Sequence, residues 1–192
     1  MPQQGKISGS RFKAMMTSGR KKDEVFGATA LTLAKRIAFE RLDLILEEDN
    51  FVNSAMQWGI DHEDEAIATF EQQEFVIVHS QQVWQQHPEY ENVGVTPDGL
   101  VGEDAVLEVK CPNTDNHIDN LLFGAQIETY KYQLQGSLWV TGRKKCYFVS
   151  YDPRVKRSLS VDVVLRDDEM ISQMQERYLA FETEIQKFVE ML

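Results

Sequence analysis

Residues 95–112 read VTPDGLVGEDAVLEVKCP, and this stretch decides the fold prediction. Its first part, Thr96 to Gly99, has the Pro and Asp-Gly composition of a turn, and Asp104 to Lys110 reads as a strand that ends before a proline. Because side chains alternate between the two faces of a strand, Glu108 and Lys110 share one face. The stretch therefore predicts a turn with a carboxylate, followed by a strand that carries an acid beside a base.

Asp98, Glu108 and Lys110 suit the hydrolysis of a phosphodiester. Divalent metals held by carboxylates neutralise the phosphate, activate a water and stabilise the leaving oxygen. Mg²⁺ prefers oxygen ligands, so the predicted ligands are Asp98, Glu108 and the backbone carbonyl of Val109. Lys110 is expected to orient or help to deprotonate the attacking water and to offset charge on the phosphate. The short pattern alone is equally compatible with a surface hairpin that carries an exposed ion pair.

The remaining sequence predicts helices and strands on both sides of this stretch. Apolar residues recur at helical or at strand spacing, and the segments are bounded by capping or turn residues. The predicted helices are a short one after Ser8 or Ser10, then about Ala28 to Glu47, Ser54 to Gln73, Leu121 to Val140, and Asp167 or Asp168 to Leu192. The predicted strands besides 104–110 are 75–79, Lys145 to Tyr151 and Leu159 to Leu165, with Val93 to Val95 leading into the turn.

Glu63 is a charged residue on the apolar face of the third predicted helix. Met56, Ile60, Ile67 and Phe70 form an apolar stripe at helical spacing, and Glu63 lies in the middle of it. An unpaired buried carboxylate is costly, so Glu63 is expected to have a cation, a hydrogen-bonding partner or a water-filled cleft beside it. A structural ion pair or a partly exposed helix edge explains the pattern equally well.

Length and composition indicate one folded domain over residues 1–192. The N-terminus has no apolar signal-peptide core, and no apolar run approaches the roughly 18 residues of a membrane span, so we expect a cytoplasmic protein that does not contact membranes. Cys111 and Cys146 are the two cysteines, and we expect both to be reduced.

A formal net charge of −11 has the wrong sign for a protein coated with nonspecific nucleic-acid contacts. The basic residues do cluster, at Arg20 to Lys22, at Arg143 to Lys145 and around Arg154 to Arg157. These clusters are compatible with a local positive groove for DNA or with solvated loops.

Longer segments carry a resemblance to a known family. The spacing of Asp98, Glu108 and Lys110 resembles the PD-(D/E)XK nuclease motif, and several longer segments resemble the lambda-exonuclease family of viral recombinases, also called YqaJ-like. The resemblance covers about residues 5 to 190. It rests on 96–100, 107–112, 130–135, 138–141, 147–148, 151–157 and Trp58-Gly59 with Glu63.

The resemblance implies an α/β fold of the restriction-endonuclease type, with a central mixed β-sheet flanked by α-helices. It also implies a Mg²⁺-dependent exonuclease, with Mn²⁺ able to substitute, that digests one strand of linear double-stranded DNA from its 5′ end. The products would be mononucleotides and a 3′ single-stranded tail. Members of this family are phage or prophage proteins that form a homotrimer around DNA and act with a single-strand annealing protein in recombination.

The same resemblance implies roles for particular residues. The implied metal ligands are Asp98, Glu108 and the Val109 carbonyl, and Lys110 corresponds to the catalytic lysine. Gln133 corresponds to an active-site glutamine that positions water or phosphate. Glu63 corresponds to an upstream acidic active-site position, which agrees with its place on the apolar stripe.

DNA contacts are implied near the N-terminus. Ser8 and Ser10 correspond to a helix N-terminus that lies close to the 5′ phosphate, where backbone N–H groups suit an anion. The family typically has an arginine just before the segment that starts at Gly5, but Gln3 and Gln4 stand nearby here. Residues that could replace that arginine are Lys6, Arg11 and Lys13, and Lys131 is a further candidate for phosphate binding.

Two other functions remain compatible with the sequence. A structure-selective or site-specific endonuclease could have the same catalytic motif, because nucleases that share one fold cleave DNA substrates of different structure. A recombination protein that binds DNA without cutting it needs neither the two acids nor the lysine.

Overall fold

The structure is a computed structural model that describes residues 3–20, 24–44 and 53–192. Its strands are Val78–His79 (β1), Gln85–Gln86 (β2), Gly94–Val95 (β3), Gly99–Val101 (β4), Ala105–Lys110 (β5), Lys145–Tyr151 (β6) and Leu159–Leu165 (β7). A five-stranded mixed sheet forms the centre of the fold, in the order β1-β4-β5-β6-β7. Strands β5 and β6 run parallel, and the other neighbours in this sheet run antiparallel. A separate antiparallel pair consists of β2 and β3.

Helices cover both faces of the large sheet. They are Arg11–Met15 (α1), Ala28–Arg41 (α2), Ser54–Glu74 (α3), Thr114–Phe123 (α4), Ile127–Thr141 (α5) and Asp168–Glu190 (α6). Val106 and Phe148 belong to the core that the sheet shares with α1, α2, α5 and α6. Leu107 and Val149 point to the opposite face, where they pack with residues of α3. The predicted fold class, a mixed sheet flanked by helices, is confirmed.

The β-strands of the second half agree closely with the prediction. Strands β6 and β7 have the predicted bounds, and β5 starts at Ala105, one residue later than predicted. The C-terminal helix is capped by Asp167, whose side chain accepts a hydrogen bond from the backbone N–H of Met170. The apolar residues that recur at helical spacing along it, among them Met174, Tyr178, Phe181 and Ile185, pack into the core.

The prediction of one helix over Leu121–Val140 is wrong. Two helices occupy this region, and α4 ends at Phe123, where the C-cap residue Gly124 has a φ of 84°, in the range that favours glycine. The second helix, α5, begins only at Ile127. Its buried residues run without a gap from Leu134 to Val140, because α5 is enclosed by the sheet and the other helices.

The apolar stripe predicted on α3 is correct only in its second half. Ile67 and Phe70 are buried, but Met56 is 52% exposed and Ile60 is 62% exposed. Among the described residues, α3 contributes only Ala66, Ile67 and Phe70 to the buried core on its side of the sheet. The strand predicted over 75–79 is reduced to β1, because Phe75 ends α3 in a left-handed conformation.

Smaller predictions concern the N-terminal half and the cysteines. Ser10 is the N-cap residue of α1, although its side chain makes no capping hydrogen bond. Helix α2 ends at Arg41, and residues 45–47, for which helix was predicted, lie outside the described residues. Both cysteines are free thiols, as predicted. In the three described segments, no helix is long and apolar enough to cross a membrane.

Candidate active site

The β4–β5 hairpin brings the two predicted carboxylates together. Its antiparallel register pairs Gly99 with Leu107. Asp98 immediately precedes Gly99 and Glu108 immediately follows Leu107, so these two residues face each other across the end of the hairpin. Opposite residues of an antiparallel pair project to the same face of the sheet. The spacing between Asp98 and Glu108 is therefore the spacing that this hairpin register requires.

Hydrogen bonds join the carboxylates to three neighbours. The Nζ atom of Lys110 and the Nε2 atom of Gln133 both donate to Oε1 of Glu108, each at 2.5 Å. The backbone N–H of Val109 donates to Oδ2 of Asp98 at 2.6 Å. Strand β5 thus supplies an acid and a base from adjacent positions of one face, and α5 contributes an amide from above that face.

Burial and like charge both act on this pair of acids. Glu108 is only 3% exposed. Burial raises the pKa of Asp98 to about 8, and the neighbouring Glu108 carboxylate contributes to the increase. Burial by itself lowers the pKa of Lys110, but the carboxylates of Glu108 and Asp98 outweigh it, so the pKa of Lys110 is raised and the amine is an ammonium at neutral pH. One cation thus stands against two closely spaced acids.

This donor set fits a hard divalent cation. The N–H and C=O groups of one residue in a strand point to the same side, so the Val109 carbonyl faces the side of Asp98. Two carboxylates and one carbonyl match the oxygen preference of Mg²⁺, which usually keeps several waters and takes one or two carboxylates. In the described part of the chain, no group of three or more His, Cys, Asp or Glu side chains forms a complete metal cage. The site therefore suits a metal that shares its shell with water and substrate.

Glu63 lies at the edge of this site and not in a buried stripe. It is half-buried, and its Oε1 atom accepts a hydrogen bond from Nε2 of Gln82 at 2.6 Å. The backbone N–H of the same Gln82 donates to the carbonyl of Pro97 at 3.2 Å, so Gln82 links Glu63 to the residue that precedes Asp98. The predicted need for a hydrogen-bonding partner is met by Gln82, which the sequence analysis missed because it lies in an irregular loop.

The N-terminal segment runs past the approach to Asp98. Ile7 forms a parallel bridge with Val93, and Nε2 of Gln3 donates to Oγ1 of Thr96 at 3.2 Å. Ser8 is buried and Ser10 is exposed in this segment.

Three predicted phosphate-binding cations have protein partners. Arg11 forms a bidentate pair with Glu40 at 2.6 and 2.9 Å and also donates to the Lys6 carbonyl, so its guanidinium holds α1 against α2. The Nζ atom of Lys6 donates to Gln86 at 2.8 Å. Lys131 pairs with the exposed Glu128 at 2.8 Å. Arg11 is thus fixed within the fold, whereas Lys6 and Lys131 keep weaker, exposed contacts.

A polar network beside Lys110 has no signal in the sequence that predicts it. Its register partner on β6 is Ser150, whose Oγ atom lies 2.9 Å from Nδ1 of the fully buried His117. The other ring nitrogen of His117, Nε2, lies 3.0 Å from the carbonyl of Arg157, and because a carbonyl can only accept, Nε2 donates to it. The hydrogen bonds are satisfied within the protein, which marks His117 as structural.

Comparisons with known proteins identify the family and the fold of this chain. A family model described as the YqaJ-like viral recombinase domain matches residues 3–144. The alkaline exonuclease LHK-Exo from Laribacter hongkongensis superimposes with a TM-score of 0.85 at 31% identity, over 98% of this chain and 91% of that chain. The complex of LHK-Exo with dAMP superimposes with a TM-score of 0.84 at 31% identity and with the same coverage.

A more distant structure shows the same fold. The phage related exonuclease from Haemophilus somnus 129PT has a TM-score of 0.77 at 18% identity, over 97% of this chain and 96% of that chain. A search of curated protein sequences gave no match. The matched family and the alkaline exonuclease neighbours support a nuclease function and confirm the resemblance stated from the sequence. This chain belongs to the YqaJ-like viral recombinase domain family.

Proposed function

We propose that this protein is a Mg²⁺-dependent exonuclease that degrades one strand of linear double-stranded DNA from its 5′ end. The proposal rests above all on one observation, the facing pair of Asp98 and Glu108 with Lys110 bonded to Glu108. A protein that only binds DNA gains nothing from two acids that share a buried site, because they repel the phosphates of the ligand. The family and its alkaline exonuclease neighbours point in the same direction.

The proposed mechanism assigns separate tasks to the side chains. Asp98, Glu108 and the Val109 carbonyl would hold Mg²⁺ or Mn²⁺. The bound metal supplies charge neutralisation at the phosphate and a lowered pKa for water. The two acids raise the pKa of Lys110, so its side chain is a positively charged ammonium. Its proposed task is therefore to stabilise negative charge on the attacked phosphate.

Gln133 and Glu63 complete the proposed site. The amide of Gln133 donates to Glu108, which fixes the orientation of that carboxylate, and its carbonyl oxygen remains able to accept a hydrogen bond from a water. Glu63 sits at the edge, where its carboxylate is suited to accept a proton or a hydrogen bond from water that enters the site.

Direction, products and partners follow from the family resemblance. The proposed products are 5′ mononucleotides and a 3′ single-stranded tail that an annealing protein would take up for recombination. The complex of the similar LHK-Exo with dAMP is a complex with a mononucleotide, which supports mononucleotide products. We also propose a homotrimer that encloses the DNA, a phage or prophage origin and action in the bacterial cytoplasm. Native mass spectrometry tests the trimer directly.

Linear and covalently closed circular DNA of one sequence distinguish the proposed exonuclease from an endonuclease. We expect the protein with Mg²⁺ to degrade the linear form and to leave the circle intact, and EDTA to stop the reaction. Asp98→Asn keeps the size of the side chain but removes its charge, and should be inactive. Opening of the circle at a comparable rate would favour the endonuclease. If linear DNA stays intact with every divalent metal, the protein is not a nuclease, and the alternative of a protein that only binds DNA would be favoured.

A further inference from the structure

A second cluster of charged and aromatic side chains lies beside the candidate active site. It involves the turn between β6 and β7, residues 152–158, which we call the β6–β7 turn. Strand β6 runs parallel to β5, so this turn leaves the sheet at the same end as Lys110. In that register Lys110 pairs with Ser150, and the turn starts two residues later at Asp152, so the turn begins beside the end of β5 that carries the acids of the site.

Arg154 is held rigidly in this turn. Its Nε and Nη2 atoms donate to the two oxygens of Asp152, at 2.8 and 2.9 Å, and Asp152 itself is 0% exposed. Thr114 donates to the same carboxylate at 2.7 Å. The side chain of Arg154 remains 49% exposed, and within the described residues no hydrogen bond involves its third nitrogen, Nη1. One edge of an oriented guanidinium therefore faces solvent.

Trp58 fixes the plane of this guanidinium. The Cζ atom of Arg154 lies 4.0 Å from the centroid of the Trp58 ring, and the ring of His62 stacks on Trp58 at 3.7 Å. Two groups this close to one centroid must occupy opposite faces of the indole. Both faces of Trp58 are thus covered, so the ring is not available to stack on a DNA base, and its contact with Arg154 serves to position that residue.

The charge of the turn favours an anionic ligand. Lys156 and Arg157 follow Arg154 and are exposed, and neither forms an ion pair with any described residue. The surrounding site is acidic, so these cations supply a positive surface next to the carboxylates of an otherwise acidic chain. A free guanidinium edge with two N–H groups matches the oxygens of a phosphate.

We propose that the β6–β7 turn binds the phosphate backbone of DNA next to the active site, with Arg154 as the principal contact and with Trp58 and Asp152 as its positioning residues. This inference rests on the proposed function, since it places the substrate of that reaction. Arg154 also links the turn to the exposed N-terminal half of α3, the half that carries Glu63.

Salt dependence of DNA binding tests this proposal. Fluorescence anisotropy with a labelled, 5′-phosphorylated duplex and Mg²⁺ measures affinity over a range of NaCl concentrations, in a Lys110→Ala background that should not cut. Arg154→Gln removes the charge but keeps an amide for Asp152, and so protects the fold better than Arg154→Ala. We expect a loss of affinity on the order of tenfold and a salt slope that is shallower by about 0.9.

Two further variants separate charge from geometry. Arg154→Lys keeps the charge but loses the planar stack, so it should keep the salt slope and bind with intermediate affinity. Lys187→Gln removes an exposed cation of α6 and should behave as the background protein. A slope for Arg154→Gln equal to that of Lys187→Gln would overturn the proposal, even if its melting temperature had fallen.

The cleavage assay with intact Lys110 keeps the two proposals apart. If that protein fails to cut linear DNA while Arg154→Gln still reduces the salt slope, the proposed function fails and the DNA-binding turn stands. If it cuts but Arg154→Gln leaves the slope unchanged, the proposed function stands and the DNA-binding turn fails.

Discussion

Asp98 and Glu108 are two largely buried carboxylates that lie on the same face of the sheet. Folding removes them from water and places them opposite each other, and both effects disfavour two negative charges. Lys110 compensates one charge, through its bond to Glu108. The two carboxylates therefore exceed the single ammonium in charge. This excess of negative charge is the physical reason to expect a metal here, since a divalent cation can neutralise both acids.

Metal binding should depend strongly on pH. The pKa of Asp98 rises from 3.8 to about 8 on folding, so between these values the folded chain holds more protons than the unfolded chain. Without metal, this group therefore makes the free energy of unfolding decrease as pH rises through that window. Mg²⁺ needs the ionised carboxylate, so its stabilising effect should increase over the same window.

Thermal unfolding with Mg²⁺ and with EDTA measures this effect. The increase in Tm caused by Mg²⁺ should be larger at about pH 9 than at about pH 6. Asp98→Asn is the matched control and should show little increase at either pH. An equal increase at both pH values in the unchanged protein would contradict the assigned role of Asp98.

Lys110→Ala should remove most of the nuclease activity. The ammonium lies on the strand face of Glu108, where the proposed mechanism needs positive charge against the phosphate. Loss of such a group lowers kcat by roughly 10²- to 10⁴-fold. Lys187→Ala removes a lysine of α6 that pairs with Glu184, and serves as the control in the same assay of linear DNA. Activity of Lys110→Ala within a few-fold of that control would rule out the proposed role.

Residue positions were predictable to different degrees. Strand alternation alone placed Glu108 and Lys110 on one face, and the hairpin register explains the distance to Asp98. The contact between Gln133 and Glu108 joins two elements that are separated by α4, and it was expected only through the family resemblance. The pairing of Arg11 with Glu40 could not be predicted, because nothing local in the sequence specifies which distant carboxylate a cation will meet.

At the scale of elements, α1 packs closely against α5. A Cβ atom added at Gly136 would lie 2.4 Å from the ring of Phe12, which is fully buried. Gly136→Ala should therefore destabilise the protein by about 1–3 kcal/mol, because the ring cannot move without disturbing the core. In contrast, Gly59 of α3 has open space around it, so Gly59→Ala should stabilise by up to about 1 kcal/mol through helix propensity.

Urea unfolding of these two variants checks the packing of α1 against α5. Gly136→Ala should lower the free energy of unfolding, whereas Gly59→Ala should raise it. A Gly136→Ala variant as stable as the unchanged protein would mean that α1 is not packed tightly on α5.

The limits of the element prediction have a common cause. Strands β6 and β7 were located well because alternation and turn residues are local signals. The division between α4 and α5 depends on one glycine conformation, and an apolar pattern runs across it without a visible break. The exposure of Met56 and Ile60 depends on which part of α3 packs against the sheet, and periodicity carries no information about that.

At the scale of the whole molecule, the charge distribution needs explanation. The chain carries −11 overall, yet the proposed substrate is a polyanion. Attraction must then come from local surfaces, such as the β6–β7 turn, and most of the acidic surface must face away from the DNA. A ring of subunits would satisfy this condition, because each subunit would present only its inner surface to the duplex.

The most direct test of the account uses linear duplex DNA that carries a label at either the 5′ or the 3′ end. With Mg²⁺, the account predicts rapid release of the 5′ label as a mononucleotide, slow release of the 3′ label, and no release by Lys110→Ala. Release of the 3′ label first, release of labelled oligonucleotides, or equal release by Lys110→Ala would contradict it.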